Sequence, residues 1–431
     1  MSHRKIVILG AGLAGLSAAW HLQEKGISCQ LYEKEPEVGG LCRSKQKNGF
    51  TFDYDGHLLH FRHKEMFGLV KELLGDNLVE HKRYAWVYSF GRFTPYPFQA
   101  NLHGLPMDVM KECLSGFVAA SNNGEVGKDE NFLRWIKGTF GEGIAKYFMV
   151  PYNTKFWTVP LGQMTCEWLD GFIPRPTMAQ VIEGTLEEGR RQLGYNAHFW
   201  YPREGGIGRL PQAFKERLRQ VHTGHEVRKI DIKSKEVVFS NGVIRNFDHL
   251  ISTIPLPELA RVIRDVPAGI KAEFKKLRWN SVYNLNLGFR QERPSDKHWA
   301  YFPQKNISFF RVGFYHNFAR DLNPSGTGSM YAEVAYGAHA PIDKKRIAGR
   351  IEQDLRKVGF LSREDKVVLR DINDIKYAYP VYDKNYASAR SRIIEWLAAR
   401  DIALCGRYGA WKYMSMEDVL LDGQVLAQKF I

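Results

Sequence analysis

Residues 4–9, RKIVIL, end in an unbroken apolar run, the pattern of a strand buried on both faces. Gly10, Gly12 and Gly15 follow. A helical stretch then runs to about Glu24, and SCQLYEK (28–34) reads as a second strand. The pattern predicts a β–α–β opening. A second group of strands is expected near 226–254, in EVRKIDI, EVVFS and RNFDHLISTIP, with Asn241-Gly242 marking a hairpin turn. Residues 400–431 predict a strand, a glycine-bearing loop and a terminal helix that starts near Ser415-Met416-Glu417-Asp418.

The intervening sequence is of two kinds. Residues 101 to about 200 carry helical periods, as in NFLRWIKGTFGEGIAKYF and AQVIEGTLEEGRRQLG, whereas 275–340 and 370–382 are strand-rich and aromatic. Within YFPQKNISFFRVGFYHN (301–317), a period of two sets Phe310, Val312 and Phe314 on one side and Phe309, Arg311 and Tyr315 on the other. A cation therefore stands in mid-strand. No 20–50-residue repeat and no low-complexity segment interrupts the chain. The expected fold class is α/β: a Rossmann-like dinucleotide-binding lobe built from discontinuous segments, with an inserted helical lobe and an inserted antiparallel-sheet lobe. The expected divisions are 1–60, 201–265 and 386–431 for the nucleotide lobe, 61–100 and 266–385 for the sheet lobe, and 101–200 for the helical lobe.

Composition narrows the partners. With 431 residues and 44% hydrophobic content, the chain can bury a large core in two or three lobes. No window approaches the roughly 18 uninterrupted apolar residues of a membrane span. The N-terminus resembles a secretory signal, yet its apolar run carries the glycine pattern and continues into HLQEKG, so it is expected to be mature structure. The five cysteines (Cys29, Cys42, Cys113, Cys166, Cys405) are scattered and never spaced as CxxC, which predicts a reducing, cytoplasmic setting and neither disulfides nor a metal site. The formal charge of +14 favours anionic partners. It comes with no nucleic-acid-binding motif, so a phosphorylated small molecule is the expected partner.

Residues 8–15, ILGAGLAG, fit G-x-G-x-x-G between a strand and a helix, and Glu33 stands 18 positions after Gly15 at the end of the next strand. In this context Gly10 allows the tight turn, Gly12 the approach of a pyrophosphate, and Gly15 close helix–strand packing, while the Glu33 carboxylate accepts from ribose hydroxyls. Directly after that acid, EKEPEVGGLCRS adds Gly39, Gly40 and Arg43. This second glycine pair with its arginine resembles the FAD-binding pattern of the amine-oxidase-like flavoproteins. Arg407 in CGRYG and the helix beginning at Met416 are the C-terminal candidates for the same cofactor. A helix N-terminus there can support negative charge on a reduced flavin.

Longer stretches carry a nearly full-length resemblance. GFTFDYDGHLLHFRH (49–63), PYPFQANL (95–102), VPYNTKFWTVP (150–160), WAYFPQKNISFFRVGFYHNF (299–318) and GRYGAWKYMSMEDV (406–419) resemble segments of the UDP-galactopyranose mutase family, its eukaryotic-type branch most closely. The resemblance implies that His57 lies against the flavin. It implies a uridine pocket of Tyr96, Phe98, Gln99 and Asn153, with Trp157 in the mobile closing segment. Tyr301, Arg311, Tyr379 and Tyr413 would meet the rest of the nucleotide sugar, with Arg311 and two of the tyrosines, Tyr301 and Tyr413, on its diphosphate.

The implied activity is that of an FAD-dependent isomerase of polysaccharide biosynthesis, interconverting the pyranose and furanose forms of UDP-galactose or a related nucleotide sugar. Reduced FAD acts as a covalent nucleophile through N5, His57 and Arg311 are the catalytic residues, and NAD(P)H is a candidate reductant. Two positions depart from the family pattern. Asp55 stands where the family has glycine, and Phe172 stands where it has a second phosphate-binding arginine; Arg175 is the candidate replacement. The competing expectation is an FAD-dependent oxidase or desaturase acting on an amine or a lipid.

Overall fold

The computed structural model describes residues 5–430 apart from 125, 128, 170, 190–192, 195, 292 and 293. Its nucleotide lobe is a five-stranded, wholly parallel sheet in the order Ile402–Leu404, His249–Ser252, Ile6–Leu9, Cys29–Tyr32, Val221–His222. Ile6–Leu9 is buried throughout, as a central parallel strand with covered faces must be. Helix Leu13–Glu24 packs on the terminal helix Met416–Gln428, where Ser17 Oγ donates to the Leu420 carbonyl at 2.6 Å. The two ends of the chain thus meet in one lobe. The hairpin at Asn241-Gly242 joins Glu236–Phe239 to Ile244–Asn246, and Gly242 takes a φ of +81°.

The large sheet has seven strands in the order Lys366–Pro380, Trp279–Arg290, Thr327–Tyr336, Arg311–Phe314, Trp299–Tyr301, Ala85–Ser89, Arg92–Pro95. All neighbours are antiparallel except Trp299–Tyr301 with Ala85–Ser89. Alternation along Trp279–Arg290 explains how the sheet meets the cofactor lobe. Tyr283, Leu285, Leu287 and Phe289 fill an apolar core on one side. On the other, Asn286 Nδ2 donates to the Asp53 carbonyl at 3.2 Å and Asn284 Nδ2 to Asp55 Oδ1 at 3.3 Å. The sheet thereby grips the loop carrying Asp55 and His57.

Helices Met107–Asn122, Phe132–Ile144, Val150–Trp157 and Met178–Leu186 form the helical lobe. The helix expected over 179–194 stops at Leu186. Glu187 and Glu188 follow it, and acids at a helix C-terminus are opposed by the macrodipole; residues 190–192 of that expectation lie outside the described residues. Leu78–Lys82, in the stretch assigned to the sheet lobe, pairs instead with His198–Pro202 as a separate two-stranded sheet.

The alternation expected around Arg311 also changes. The strand begins only at Arg311. Phe310 N–H already donates to the Glu333 carbonyl, although Arg311 is the residue paired with Glu333, so the chain kinks just before the strand. Phe309 consequently shares a core with Val312 and Phe314, while Phe310 packs edge-on to Phe156 at 5.3 Å. Among the described residues, no helix is long and apolar enough to cross a membrane, and all five cysteines are free thiols.

Candidate active site and cofactor groove

A continuous cleft of about 800 Å³ runs between the three lobes. One end is the glycine loop. Gly10 has φ +94°, a left-handed value that side chains resist. A Cβ on Gly15 would stand 2.0 Å from the Gly10 carbonyl oxygen, so the helix can lie on the loop only with glycine there. A Cβ on Gly12 would meet no protein atom nearer than Gly40 Cα at 4.0 Å; the space beside it belongs to the cleft. Gly39 N–H donates to the Ala11 carbonyl at 2.7 Å, which locks the second glycine pair against the first loop. Glu33 accepts the Ala11 N–H on Oε2 at 2.7 Å and the Glu35 N–H on Oε1 at 3.0 Å, and each oxygen keeps capacity for one further donor. Arg43 lies along the same wall, donating from Nε to the Gly40 carbonyl at 2.9 Å, with its guanidinium 4.6 Å over the Tyr54 ring.

Further along, Arg407 donates to the carbonyls of Ala378 at 2.8 Å and Met414 at 3.1 Å, and its guanidinium lies 4.5 Å over Tyr379 and 5.1 Å over Tyr413. Ser415 caps the terminal helix reciprocally with Asp418, so the first turn, including Met416, opens on the cleft. His57 is half-buried. Burial lowers the basicity of its imidazole; Asp55 opposes that effect, while the charges of Arg407 and Arg311 reinforce it. The ring is neutral at neutral pH. Two buried polar atoms here have no protein partner: His57 Nδ1 and Arg407 Nε. A cradle without Cβ at a helix N-terminus, an acid at the end of the next strand and orphaned polar atoms on the wall beyond fit FAD.

The other half of the cleft is aromatic. Tyr96 and Tyr301 pack with ring centres 4.9 Å apart, and Tyr379 and Tyr413 stack at 5.8 Å. Arg311 lines the cleft with them. Gln99 and Asn153 each anchor their amide nitrogen on a backbone carbonyl, Gln99 on Pro174 and Asn153 on Met149, both at 2.7 Å. Gln99 Oε1 has no protein partner.

Three expected site residues do not join this group. Phe98 is fully buried and stacks on Phe148 at 5.1 Å. Trp157 is fully buried between Phe156 and Trp168. Arg175 sits away from the cleft, with its guanidinium 5.1 Å over the Trp135 ring. Phe172 does line the cleft, edge-on to Tyr413 at 4.6 Å. Among the described residues the arginines lining the cleft are Arg43, Arg311 and Arg407.

Two features were not expected from sequence. Tyr152 and Tyr331 complete the aromatic wall. Glu333, fully buried, faces Arg311 across the sheet and forms a two-pronged ion pair with it. The signal was an acid in mid-strand within SMYAEVAY, the counterpart of the cation in mid-strand at Arg311. The basic surplus of the chain is not concentrated here: the cleft lining carries no fewer acidic than basic side chains.

The fold and the groove define a flavin-dinucleotide enzyme. Residues 13–429 match the flavin-containing amine oxidoreductase family, and the chain belongs to it, with FAD the implied cofactor. Within that family its fold is the one seen in reduced UDP-galactopyranose mutase, which is 30% identical, with a TM-score of 0.94, 100% of this chain covered and 94% of that one. A fatty acid isomerase from P. acnes that produces CLA shares the fold at 14% identity, a TM-score of 0.71 and 99% coverage of each chain. Curated relatives include the 4,4'-diapolycopene oxygenase of Methylomonas sp, 44% identical over 336 residues (70% of this chain, 66% of that protein). Another is the 4,4'-diaponeurosporene oxygenase of Staphylococcus aureus (strain bovine RF122 / ET3-1), 22% identical over 458 residues (90% and 87%).

The purified protein is expected to be yellow and to release FAD on denaturation, read by chromatography of the released flavin. A colourless protein that FAD does not reconstitute would refute the cofactor assignment.

Proposed function

We propose that the protein is a flavin-dependent nucleotide-sugar mutase that interconverts the pyranose and furanose forms of UDP-galactose or a closely related nucleotide sugar. The observation that carries this reading is the grouping of Arg311 with Tyr301, Tyr379 and Tyr413 along the cleft that also holds the glycine loop and His57. A uracil ring would enter beside Tyr96, with the Gln99 amide to read its edge; aromatic stacking of a base contributes about 1–3 kcal/mol. Arg311 and the tyrosine hydroxyls would hold the diphosphate. A guanidinium on a sheet strand is aimed by a rigid element, and its planar fork suits phosphate oxygens. The chemistry FAD supplies when bound and reduced is a nucleophile at N5. The chain's task is then to keep the anomeric carbon near that atom, to hold the diphosphate while it is detached, and to exclude water with the aromatic wall. His57, held neutral, would meet the flavin ring without adding charge.

The test is anaerobic conversion of UDP-galactofuranose by dithionite-reduced protein, followed by chromatography, with NAD(P)H oxidation recorded in parallel. Many turnovers per reduction are expected, with none from oxidised protein. Product forming one for one with NAD(P)H or oxygen consumed would instead support an oxidase or desaturase. That second reading draws on the relative named as a 4,4'-diapolycopene oxygenase and on Phe172, which lines the cleft at the position where a second phosphate-binding arginine is expected. Turnover with another nucleotide sugar only would keep the reaction and change the substrate, with Phe172 the first residue to exchange.

A further inference from the structure

Arg311 and Glu333 are directly paired across neighbouring strands. Glu333 binds the guanidinium through both carboxylate oxygens, one of them 2.8 Å from Nη2. A second carboxylate joins them: Asp55 Oδ1 lies 3.8 Å from the same Nη2 and accepts hydrogen bonds from Gly56 N–H at 2.7 Å and Asn284 Nδ2 at 3.3 Å. Both buried carboxyls thus gather at one guanidinium nitrogen, Glu333 Oε1 at 2.8 Å and Asp55 Oδ1 at 3.8 Å. Two carboxyl groups drawn this close to one nitrogen can bond to each other only if one of them carries a proton, because neither ionised group has one to give.

The charge balance agrees. With both acids ionised, one guanidinium would face two buried carboxylates and the cluster would carry a net negative charge, which burial penalises heavily. Burial drives the Glu333 carboxyl well above its ordinary range; the Arg311 charge opposes this, and Asp55 reinforces it. Burial also pushes the Asp55 carboxyl up, but the neighbouring Glu333 carboxyl, the Arg311 charge and the Gly56 N–H outweigh it, so Asp55 is the ionised partner. The other groups facing the cluster cannot take its place. His57 is neutral. The Tyr301, Tyr315, Tyr331 and Tyr379 hydroxyls are all pushed up by burial and stay protonated. Asp53, on the same loop, is buried and pushed up to about 7, but its carboxylate is turned to Ser44 Oγ, the Tyr201 hydroxyl and the Ile207 N–H and not to Arg311.

We propose that Asp55 and Glu333 share one proton beneath Arg311, and that this proton is what leaves the guanidinium able to take an anionic ligand. Only the second half rests on the nucleotide-sugar reading. Asp55 is thus a positioning residue that sets the charge at which Arg311 works. Below the pair's upper ionisation the cluster is neutral, and Arg311 can still attract a diphosphate. Loss of the shared proton as pH rises turns the cluster negative, and affinity for a diphosphate then falls by up to about tenfold per pH unit. UDP-galactose is a suitable probe: its bridged phosphates lack the second ionisation, near pH 6, of a phosphomonoester.

The experiment has two arms on the FAD-loaded protein. Infrared difference spectroscopy at neutral pH, with isotope-labelled glutamate, reads a protonated buried carboxyl in the absence of ligand. The band is expected in the wild type and lost in Asp55→Asn, where Glu333 ionises against Arg311; Glu333→Gln is the second variant should Asp55→Asn fold poorly. Titration of UDP-galactose from about pH 6 to pH 9 reads the coupling. Affinity is expected to fall with pH in the wild type and in His57→Ala, and to be flat in Asp55→Asn. Absence of the carboxyl band, or its persistence unchanged in Asp55→Asn, would overturn the shared proton. A pH slope that disappears in His57→Ala but survives in Asp55→Asn would move the proton to the imidazole and overturn the proposal. If the band behaves as expected and no protein binds UDP-galactose, the shared proton stands and the nucleotide-sugar reading falls.

Discussion

Gly12→Ala is expected to yield a protein that folds as the wild type does but binds FAD about 100-fold more weakly, the loss of roughly one hydrogen bond to a charged group. Gly12 has ordinary extended backbone angles (φ −71°, ψ 177°), so alanine brings no strain. Its Cβ would meet no protein atom closer than 4.0 Å. What it would meet is a pyrophosphate seated on the N-terminus of helix Leu13–Glu24, where even a methyl group prevents backbone N–H groups from reaching phosphate oxygens. Gly15→Ala is the contrasting variant. There the Cβ would stand 2.0 Å from the Gly10 carbonyl oxygen and 3.3 Å from Leu31 Cδ1, and the loop must part from the helix. Overpacking of this kind typically costs about 1–3 kcal/mol, so Gly15→Ala should melt several degrees lower even without flavin. Thermal melts of flavin-free protein and FAD titrations separate the two. Equal melting losses in both variants would mean that Gly12 serves packing and not a cofactor.

These glycines were legible because their meaning is local: a strand, a turn and a helix within a few residues fix what each must do. The same holds for Asn241-Gly242 and for the Ser415 cap, whose partner Asp418 is three residues away. Non-local placement was harder to read. Phe98 follows Pro97 in a stretch where an aromatic ring serves equally well as core or as a stacking platform; only the packing of Phe148 against it decides for core. Trp157 ends a helix whose cleft-facing positions are Tyr152, Asn153 and Phe156, so the helical period turns the tryptophan inward. Arg175 follows Pro174, whose carbonyl is held by Gln99, and its side chain lies over Trp135 instead of entering the cleft. Arg311 and Glu333 are each conspicuous as charges in mid-strand, but that they face one another is a matter of register between strands 22 residues apart, which no local pattern specifies.

That register changes what the removal of Arg311 should do. On a solvated sheet face, Arg311→Ala would be silent. As a phosphate ligand alone, the side chain would account for the loss of one charge-assisted contact, about 1.5–3 kcal/mol or 10- to 150-fold in affinity for UDP-galactose. The structure adds a second effect: Asp55 and Glu333 are both buried, and Arg311 is the counter-charge of the pair. Breaking a buried ion pair from one side costs about 3–5 kcal/mol, reduced here to the extent that the acid pair takes up a second proton. Arg311→Ala is therefore expected to bind UDP-galactose 10- to 150-fold more weakly and also to melt at a lower temperature, with its FAD content unchanged because the glycine loop and Arg407 are untouched. Arg311→Met combined with Asp55→Asn removes both charges, Glu333 keeping its proton, so it should recover most of the stability and none of the affinity. Calorimetric titration with UDP-galactose and thermal melts of the three proteins distinguish the outcomes. Affinity restored in the double variant would show that Arg311 only supports the fold around the site, and an unchanged affinity in Arg311→Ala would remove the diphosphate contact from the proposed function.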